Sequence, residues 1–141
     1  MKKKLGINPK DAISSKKCDL STFPVIAVYH GAHATVDGGF KYDPYNWRQN
    51  KVLARVYIAA AERHLKRFAA GEDLTTDTKV HNLGCVMACC AILLDAETTG
   101  NLVDNRAKSP EVLKAMDAID TACKALAEAH AAKKKRRLAA P

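Results

Sequence analysis

Two histidines and three nearby carboxylates are the residues of this chain whose type and spacing could perform metal chemistry. His64 stands about two helical turns before a predicted bend that contains Glu72, Asp73 and Asp77, and His81 follows directly after it. Imidazole nitrogens and carboxylate oxygens are common ligands of catalytic divalent metals. If the helices flanking the bend run antiparallel, these groups converge at one end of the pair and could bind a cation.

The cysteines allow a second interpretation of the same segment. Cys85 follows His81 by four residues and shares a helix face with it, so a structural zinc on His81, Cys85 and Cys89 is an alternative. Such a site lacks a fourth ligand, so the cysteines are first interpreted as small core residues. The five cysteines are odd in number and no export signal precedes them, which argues against a disulfide framework.

Asp95 is too far along the chain to join these ligands. It lies 14 residues beyond His81, which is about 21 Å along a single helix. We therefore expect Asp95 to face another partner, such as Arg55 or a substrate hydroxyl.

Helical periodicity predicts the helices that must position these groups. Over residues 48–70 apolar side chains recur at spacings of three and four, with His64 on the same stripe. Gly71 is predicted to end this helix. A second helix over about 79–98 is apolar almost all round, so it is predicted to be the buried central helix, and its Gly84 and Ala88 permit close helix approach. Gly100 is predicted to stop it.

The flanking segments are predicted from their capping and turn residues. Residues 23–36 form a short helix closed by Asp37-Gly38-Gly39, or alternatively contain a short buried strand, and residues 40–47 form a loop. Ser109 as N-cap and Pro110 at the first position open a third helix that reaches about Ala132.

These elements predict an all-α fold: a small helical bundle built on a central antiparallel helix hairpin, with flexible basic termini. The expected organisation is a flexible arm over residues 1–20, one helical domain over 21–132 and a basic tail over 133–141. The net charge of +8 resides in the termini, because residues 18–132 contain 12 Lys and Arg against 14 Asp and Glu. No apolar run approaches a membrane span and no secretory signal is present, so a cytoplasmic location is expected.

Five short motifs follow one another in a fixed order through the middle of the chain. They are Lys41-Tyr42-x-Pro44-Tyr45-Asn46-Trp47-Arg48, Ala61-x-Arg63-His64, Gly71-Glu72-Asp73, His81-x-Leu83 with Met87-Ala88-Cys89 and Leu93-Leu94-Asp95, and Asp104-Asn105-Arg106. Each motif is weak alone, but their order and spacing over about residues 24–106 resemble the phage dATP/dGTP diphosphohydrolase family.

The resemblance implies a metal-dependent hydrolase that releases pyrophosphate from dGTP or dATP in the host cytoplasm, with Mg²⁺ or Mn²⁺ as cofactor. It also implies roles for individual residues. The implied metal ligands are His64, Glu72, Asp73 and His81, with His64 and Glu72 also as catalytic residues. The implied substrate contacts are Lys41, Arg48 and Arg63 for phosphate, and Asn46 and Trp47 for base or sugar.

Three departures from the family pattern leave alternatives open. The family pattern often has histidines where this chain has Asn82 and Cys85, and an aspartate where it has Thr75. Asn82 and Cys85 also stand at the positions of the two acidic residues in the E-x-x-D helix of all-α nucleotide pyrophosphatases. Asn and Cys are poorer ligands for hard metals. The alternatives are a catalytically inactive nucleotide-binding or scaffold protein on the same fold, or a DNA-binding accessory protein that uses its basic tails. Small helical bundles often share a site between subunits, so a homo-oligomer is expected.

Overall fold

Five helices and one two-stranded parallel ladder form the part of the chain that the structure, a computed structural model, describes: residues 8, 10 and 17–139. After a 3₁₀ turn at Leu20–Thr22 come α1 (Val25–Tyr42), α2 (Asn46–Gln49), β1 (Val52–Leu53), α3 (Ala54–Ala69), α4 (Asn82–Thr98), β2 (Leu102–Val103) and α5 (Pro110–Leu138). The predicted helical class is confirmed. The antiparallel arrangement of the hairpin and the domain limits stay predictions, and the predicted arm of residues 1–20 lies mostly outside the described residues.

Contacts divide the chain into two units, Met1–Asn105 and Arg106–Pro141. Within the first unit, α4 is the shared element, because both α1 and α3 pack against it. A Cβ atom on Gly84 would lie 2.5 Å from the carbonyl oxygen of His30. Only glycine permits α1 and α4 to approach this closely, which confirms the role predicted for Gly84.

The predicted end of the first helix at Asp37-Gly38-Gly39 is wrong, as is the alternative of a strand. Helix α1 continues through both glycines to Tyr42. An ion pair of 2.7 Å between Asp37 and Lys41, one helical turn apart, spans the glycine pair and supports this last turn. The helix ends where Asp43 adopts a positive φ of 69°, and Pro44 follows at once.

The predicted helix over residues 48–70 is divided in two. Its first residues belong to the short α2, and α3 begins only at Ala54. Between them β1 pairs in parallel with β2, with Val52 opposite Leu102. The side-chain amide of Asn101 donates to the carbonyl of Arg48 at 2.6 Å. The burial of Val52, the pairing of β1 with β2 and the hydrogen bond from Asn101 outweigh the local helical periodicity.

The sequence predicts that two helices end at glycines, and the structure confirms both positions. Gly71 follows α3 with φ of 95°, and Gly100 follows α4 with φ of 73°. Both conformations lie in the left-handed region that glycine adopts without strain.

Helix α5 belongs to the second unit. The hydroxyl of its N-cap Ser109 accepts from the backbone N–H of Val112 at 3.3 Å, and Pro110 occupies the first position, as predicted. The helix extends to Leu138 and so includes residues 133–138 of the predicted tail. Ala, Lys and Arg are strong helix formers, and the cations of the last turn complement the negative end of the helix dipole. No helix among the described residues is long and apolar enough to cross a bilayer.

Candidate active site

A hollow of about 470 Å³ lies between α1, α3 and α4, next to the start of α2. One part of its lining is apolar and comes from Ala34, Val56, Ala60 and Ala88, while the polar part comes from Asp37, Lys41, Asn46, Arg63 and His64. This volume falls within the range of small-molecule sites, about 300–1,000 Å³. The hollow therefore combines a surface suited to an apolar ring with groups suited to an anion.

Two aspartates converge on one lysine at the edge of this hollow. The Lys41 ammonium contacts the carboxylate of Asp37 at 2.7 Å and that of Asp77 at 3.7 Å. The hydrogen bond to Asp37 raises the pKa of Lys41 above its usual value. The pKa of Asp77 is lowered, first by the backbone N–H of Thr78 and then by the hydroxyl of Thr75. Lys41 and Asp77 therefore both remain charged at neutral pH.

Arg63 and His64 connect the hollow to a second one of about 370 Å³, to which Arg67, Thr75 and Asp77 also contribute. The guanidinium of Arg63 makes no hydrogen bond or ion pair with any described residue. Arg67, by contrast, is paired with Glu72 at 2.9 Å. Arg63 is therefore available to bind an anion, because its donors are not committed to a carboxylate within the described chain.

His64 is held in one orientation by Asn82. Its Nδ1 lies 2.8 Å from the Asn82 side-chain oxygen, while the Asn82 amide nitrogen donates to the carbonyl of Glu72 at 2.7 Å. Since the amide nitrogen faces a carbonyl, the amide oxygen must accept from His64, which assigns the proton to Nδ1. The Nε2 atom of the neutral ring then carries the lone pair and can accept a proton or bind a metal.

Asn82 and Thr75 are buried, and Cys85 and Cys89 are partly buried. Asn82 is completely buried, at 0% exposure. Thr75 is also buried, and its hydroxyl accepts from the backbone N–H of Val80 at 3.2 Å. Burial raises the pKa of the Cys85 thiol, and it raises that of Cys89 to about 11. Both cysteines are therefore protonated near pH 7 and are poor metal ligands in this state.

Two other predicted metal ligands, His81 and Glu72, accept hydrogen bonds from other groups of the protein. His81 caps α4, because its Nδ1 accepts from the backbone N–H of Leu83 at 3.1 Å. Its ring packs against those of His30, at 4.7 Å between centroids, and Phe68, at 5.8 Å. Both oxygens of Glu72 accept from Arg67.

The structure therefore does not gather the predicted metal ligands into one cluster. Asp73 contributes its backbone carbonyl, which accepts from the N–H of Asn82 at 2.8 Å. Within the described residues, no group of three or more His, Cys, Asp and Glu side chains could hold a metal ion. Of the predicted set, only His64 lines the two hollows described above. Metal binding by these residues stays a prediction.

Two residues predicted to contact the substrate, Trp47 and Arg48, donate hydrogen bonds to Asp95. The indole N–H of Trp47 donates to Asp95 at 2.7 Å, and the guanidinium of Arg48 donates to both of its oxygens at 2.8 and 2.9 Å. The partner of Asp95 within the protein is therefore Arg48, together with Trp47, and not Arg55, because the chain around α2 folds back onto α4. The hydrogen bond from Arg48, and secondarily that from Trp47, lowers the pKa of Asp95.

A separate hollow of about 520 Å³ lies beside the end of α1 and the start of α2. Its lining consists of Thr35, Val36, Gly39, Phe40, Pro44, Tyr45 and Trp47. None of these side chains is charged, so this surface offers nothing to neutralise a polyphosphate. The hollow that contains Arg63 and His64 is the better candidate for an active site.

The sequence predictions included Lys41, Asn46, Arg63 and His64 in the site and counted Asp77 among the bend carboxylates that could bind a cation, but they omitted Asp37. Asp37 could have been found from its position one helical turn before Lys41, had α1 been extended through the glycines. The contact between Asp77 and Lys41 has no comparable local signal, because tertiary folding brings the two residues together.

Comparison with known proteins identifies the family. A family model described as "dATP/dGTP diphosphohydrolase, N-terminal" matches residues 7–106, which include both hollows around His64. No curated protein and no solved structure gave a significant match. Helix α5 lies beyond the matched segment. The match covers well over half of the chain, which therefore belongs to the dATP/dGTP diphosphohydrolase family.

Proposed function

We propose that this protein hydrolyses purine deoxynucleoside triphosphates, dGTP or dATP, to the monophosphate and pyrophosphate in a metal-dependent reaction. Family membership supports the substrate class and the type of reaction. The observation that carries the proposal is the hollow between α1, α3 and α4, in which the uncommitted guanidinium of Arg63 lies beside the oriented imidazole of His64. This combination suits a substrate with an apolar ring at one end and several negative charges at the other.

The cationic side chains of the hollow would bind the triphosphate. Arg63 would bind phosphate oxygens through its planar guanidinium, which matches two oxygens at once. Lys41 would approach the triphosphate from the α1 side, while the neighbouring apolar surface of Ala60 and Ala88 would contact the base. Asn46 lines the same hollow and could bind a polar edge of the base or the sugar.

Asp37 and Asp77 fit a divalent metal better than the four ligands predicted from the sequence. Both carboxylates already converge on a positive charge, the Lys41 ammonium. Mg²⁺ is typically held by one or two carboxylates together with substrate phosphate oxygens and water. A metal bound there would neutralise phosphate charge and orient the substrate. Lys41 would then transfer its interaction from the aspartates to the triphosphate.

His64 would act as the general base. Its Nε2 would accept a proton from a water molecule whose oxygen forms a bond to the α-phosphorus. The bond between that phosphorus and the bridging oxygen of the pyrophosphate group would break, and pyrophosphate would leave with the electron pair. Asn82 is a positioning residue in this scheme, because it keeps the His64 proton on Nδ1.

A second candidate is nucleotide binding without turnover on the same fold. It is favoured by the neutral residues Asn82 and Cys85, which stand where the resemblance noted in the sequence predicts metal ligands, and by the finding that no group of three or more possible ligands lies together within the described residues. Homo-oligomer formation and nucleic-acid binding by the basic termini stay predictions.

The experiment is to incubate the protein with each deoxynucleoside triphosphate and Mg²⁺, Mn²⁺ or Co²⁺, separate the products and measure nucleotide binding in parallel. We expect pyrophosphate and monophosphate from dGTP or dATP. The variant His64→Ala should lose turnover, whereas His33→Ala, an exposed histidine on α1, should keep it. Binding without products would support the second candidate. Turnover that survives His64→Ala with unchanged helicity would contradict the assigned base.

A further inference from the structure

Arg67 is a second cation beside the proposed active site, and the hydrolysis described above gives it no role. It lines the smaller hollow of about 370 Å³, whose other lining residues are Arg63, His64, Thr75, Thr76 and Asp77. All of these side chains are polar or charged, whereas the larger hollow also has an apolar surface. The smaller hollow therefore suits a charged group of a ligand rather than a ring.

The two hollows follow one another along a single face of α3. Val56 and Ala60 line only the larger hollow, and Arg67 lines only the smaller one. Arg63 and His64 stand between them and line both. Successive positions are three or four residues apart, so they share one side of the helix, and Ala60 and Arg67 are separated by about 10 Å along its axis. From its N-terminal to its C-terminal end, this face presents an apolar surface, the proposed general base and a cation.

Arg67 keeps donors for a ligand although it is paired with Glu72. Only its Nη1 atom donates to the Glu72 carboxylate, at 3.1 and 2.9 Å to the two oxygens. Its Nε and Nη2 atoms make no hydrogen bond with any residue that the structure describes. The same two atoms of Arg48 bind both oxygens of Asp95, so this edge of a guanidinium is suited to two oxygens. Arg67 can therefore bind a phosphate group while Glu72 holds it in place.

The position of Arg67 is connected to that of His64 through one buried amide. Asn82 contacts the Nδ1 atom of His64 with its side-chain oxygen and donates to the carbonyl of Glu72 with its amide nitrogen. The backbone N–H of Glu72 donates to the carbonyl of Arg67 at 3.0 Å. The backbone of Glu72 is thus held on both sides, and its carboxylate positions the Arg67 guanidinium.

We propose that Arg67 binds the terminal phosphates of the substrate and thereby makes the protein select nucleoside triphosphates over monophosphates. This inference rests on the proposed function, in which the base contacts Ala60 and His64 activates the water that attacks the α-phosphorus. An α-phosphate beside His64 lies where the two hollows meet, so the β- and γ-phosphates extend into the smaller hollow. There they lie between Arg63 and Arg67, and a monophosphate does not reach Arg67.

The charges around the smaller hollow are compatible with a polyphosphate. Asp77 belongs to its lining, and the carboxylate of Asp77 lies 3.7 Å from the Lys41 ammonium. In the proposed function a divalent metal neutralises this carboxylate together with phosphate oxygens. Glu72 lines neither hollow, so the guanidinium of Arg67, and not this carboxylate, borders the space for the phosphates. Arg63 and Arg67 then face the phosphates as two cations.

The first test measures the affinity that the terminal phosphates add. The probes are dGMP and the α,β-methylene analogue of dGTP, in which carbon replaces the bridging oxygen of the bond that the proposed reaction breaks. Both are titrated with Mg²⁺ by calorimetry, as is the corresponding adenine pair. The wild type should bind the analogue more tightly than the monophosphate.

Arg67→Gln should weaken binding of the analogue by about tenfold, the lower end for a hydrogen bond to a charged group, because Arg67 is exposed. Binding of the monophosphate should change by less than about twofold. The matched control is Lys66→Gln, which removes the same charge from an exposed neighbour on α3 that lines neither hollow. This control should leave both affinities unchanged.

The second test uses the wild-type protein, so it does not depend on how a variant folds. Phenylglyoxal reacts with accessible guanidinium groups, and mass spectrometry of timed samples gives the rate at each arginine. The analogue should slow the reaction of Arg67, and the monophosphate should not. Arg55 is exposed and lines neither hollow, so it should react at the same rate with and without the analogue.

Unchanged affinity of Arg67→Gln for the analogue, or no protection of Arg67 by the analogue, would overturn the proposal. Equal weakening of both probes would also overturn it, because a purely structural role of Arg67 affects them alike. The outcome for the proposed function is separate. If the affinity for the analogue depends on Arg67 but the wild type releases no pyrophosphate from dGTP or dATP, the phosphate contact stands and the hydrolysis does not. A wild type that binds neither probe would contradict both proposals.

Discussion

Replacing Asn82 by alanine tests the connection between the buried bend and the proposed catalytic base. The asparagine side chain makes two hydrogen bonds, one with His64 Nδ1 at 2.8 Å and one to the Glu72 carbonyl at 2.7 Å. Alanine removes both and leaves an imidazole N–H and a backbone carbonyl without their partner. The backbone N–H of residue 82 can still donate to Asp73.

The expected cost follows from the burial of Asn82 and from these two bonds. A typical intramolecular hydrogen bond contributes about 0.5–1.5 kcal/mol net, and a buried group left unsatisfied costs about 1–3 kcal/mol. Water in the adjoining hollow can satisfy the His64 N–H after the substitution, which reduces its share of the cost. We therefore expect the free energy of unfolding to fall by about 2–4 kcal/mol.

Urea unfolding followed by Trp47 fluorescence measures this loss. The matched control is Asn50→Ala, because Asn50 is exposed and its side chain makes one hydrogen bond, to the carbonyl of Asn46. The control should change the unfolding free energy by less than about 0.5 kcal/mol. A long-range proton–nitrogen NMR spectrum of the wild type should show His64 protonated on Nδ1 in the neutral state.

Two results would refute the reasoning. One is a loss in Asn82→Ala no larger than that of the Asn50→Ala control, which would mean that the bend does not depend on this side chain. The other is a neutral His64 in the wild-type protein with its proton on Nε2, which would remove the lone pair assigned to the proposed base.

Three further predictions concern packing and ionisation. Gly84→Ala should destabilise the protein by about 1–3 kcal/mol in urea unfolding, because the new methyl group would overlap the His30 carbonyl; Gly31→Ala, with no close contact below 3.6 Å, should not. The pKa of Asp95 is lowered in the folded protein, so its stabilising effect is complete above the unfolded value of about 3.9 and is lost as the pH falls through the lower folded value. Asp95→Asn should therefore lower the stability near neutral pH and flatten its decline below pH 4 in acid titrations, and an unchanged acid profile would contradict the assignment. With its pKa near 11, Cys89 should react with iodoacetamide at pH 8 more slowly than the exposed cysteines, as mass spectrometry of timed samples can show; equal rates would contradict its burial.

Part of the site could be predicted because some signals are local. Lys41, Arg63 and His64 were selected by residue type and by motif order, and the structure places them around one hollow. Arg48 and Trp47 carried equally suitable chemistry, but a carboxylate 47 and 48 residues away engages them. Residue type shows what a side chain can bind, whereas the fold decides which partner lies within hydrogen-bonding distance of it.

The amino-acid sequence by itself determined the helical class, the family and the helix boundaries with strong local signals. Ser109 and Pro110 start α5, and Gly71 and Gly100 end α3 and α4, because capping and left-handed conformations depend on only a few neighbouring residues.

Only the tertiary structure decided which polar groups meet. Asn82 reaches His64 across 18 residues of chain, and Asp77 reaches Lys41 from a different element. The continuation of α1 through its glycines brings Asp37 to the same lysine. These contacts depend on how closely α1, α3 and the bend pack around α4, and that packing is a property of many distant residues acting together rather than of any local pattern.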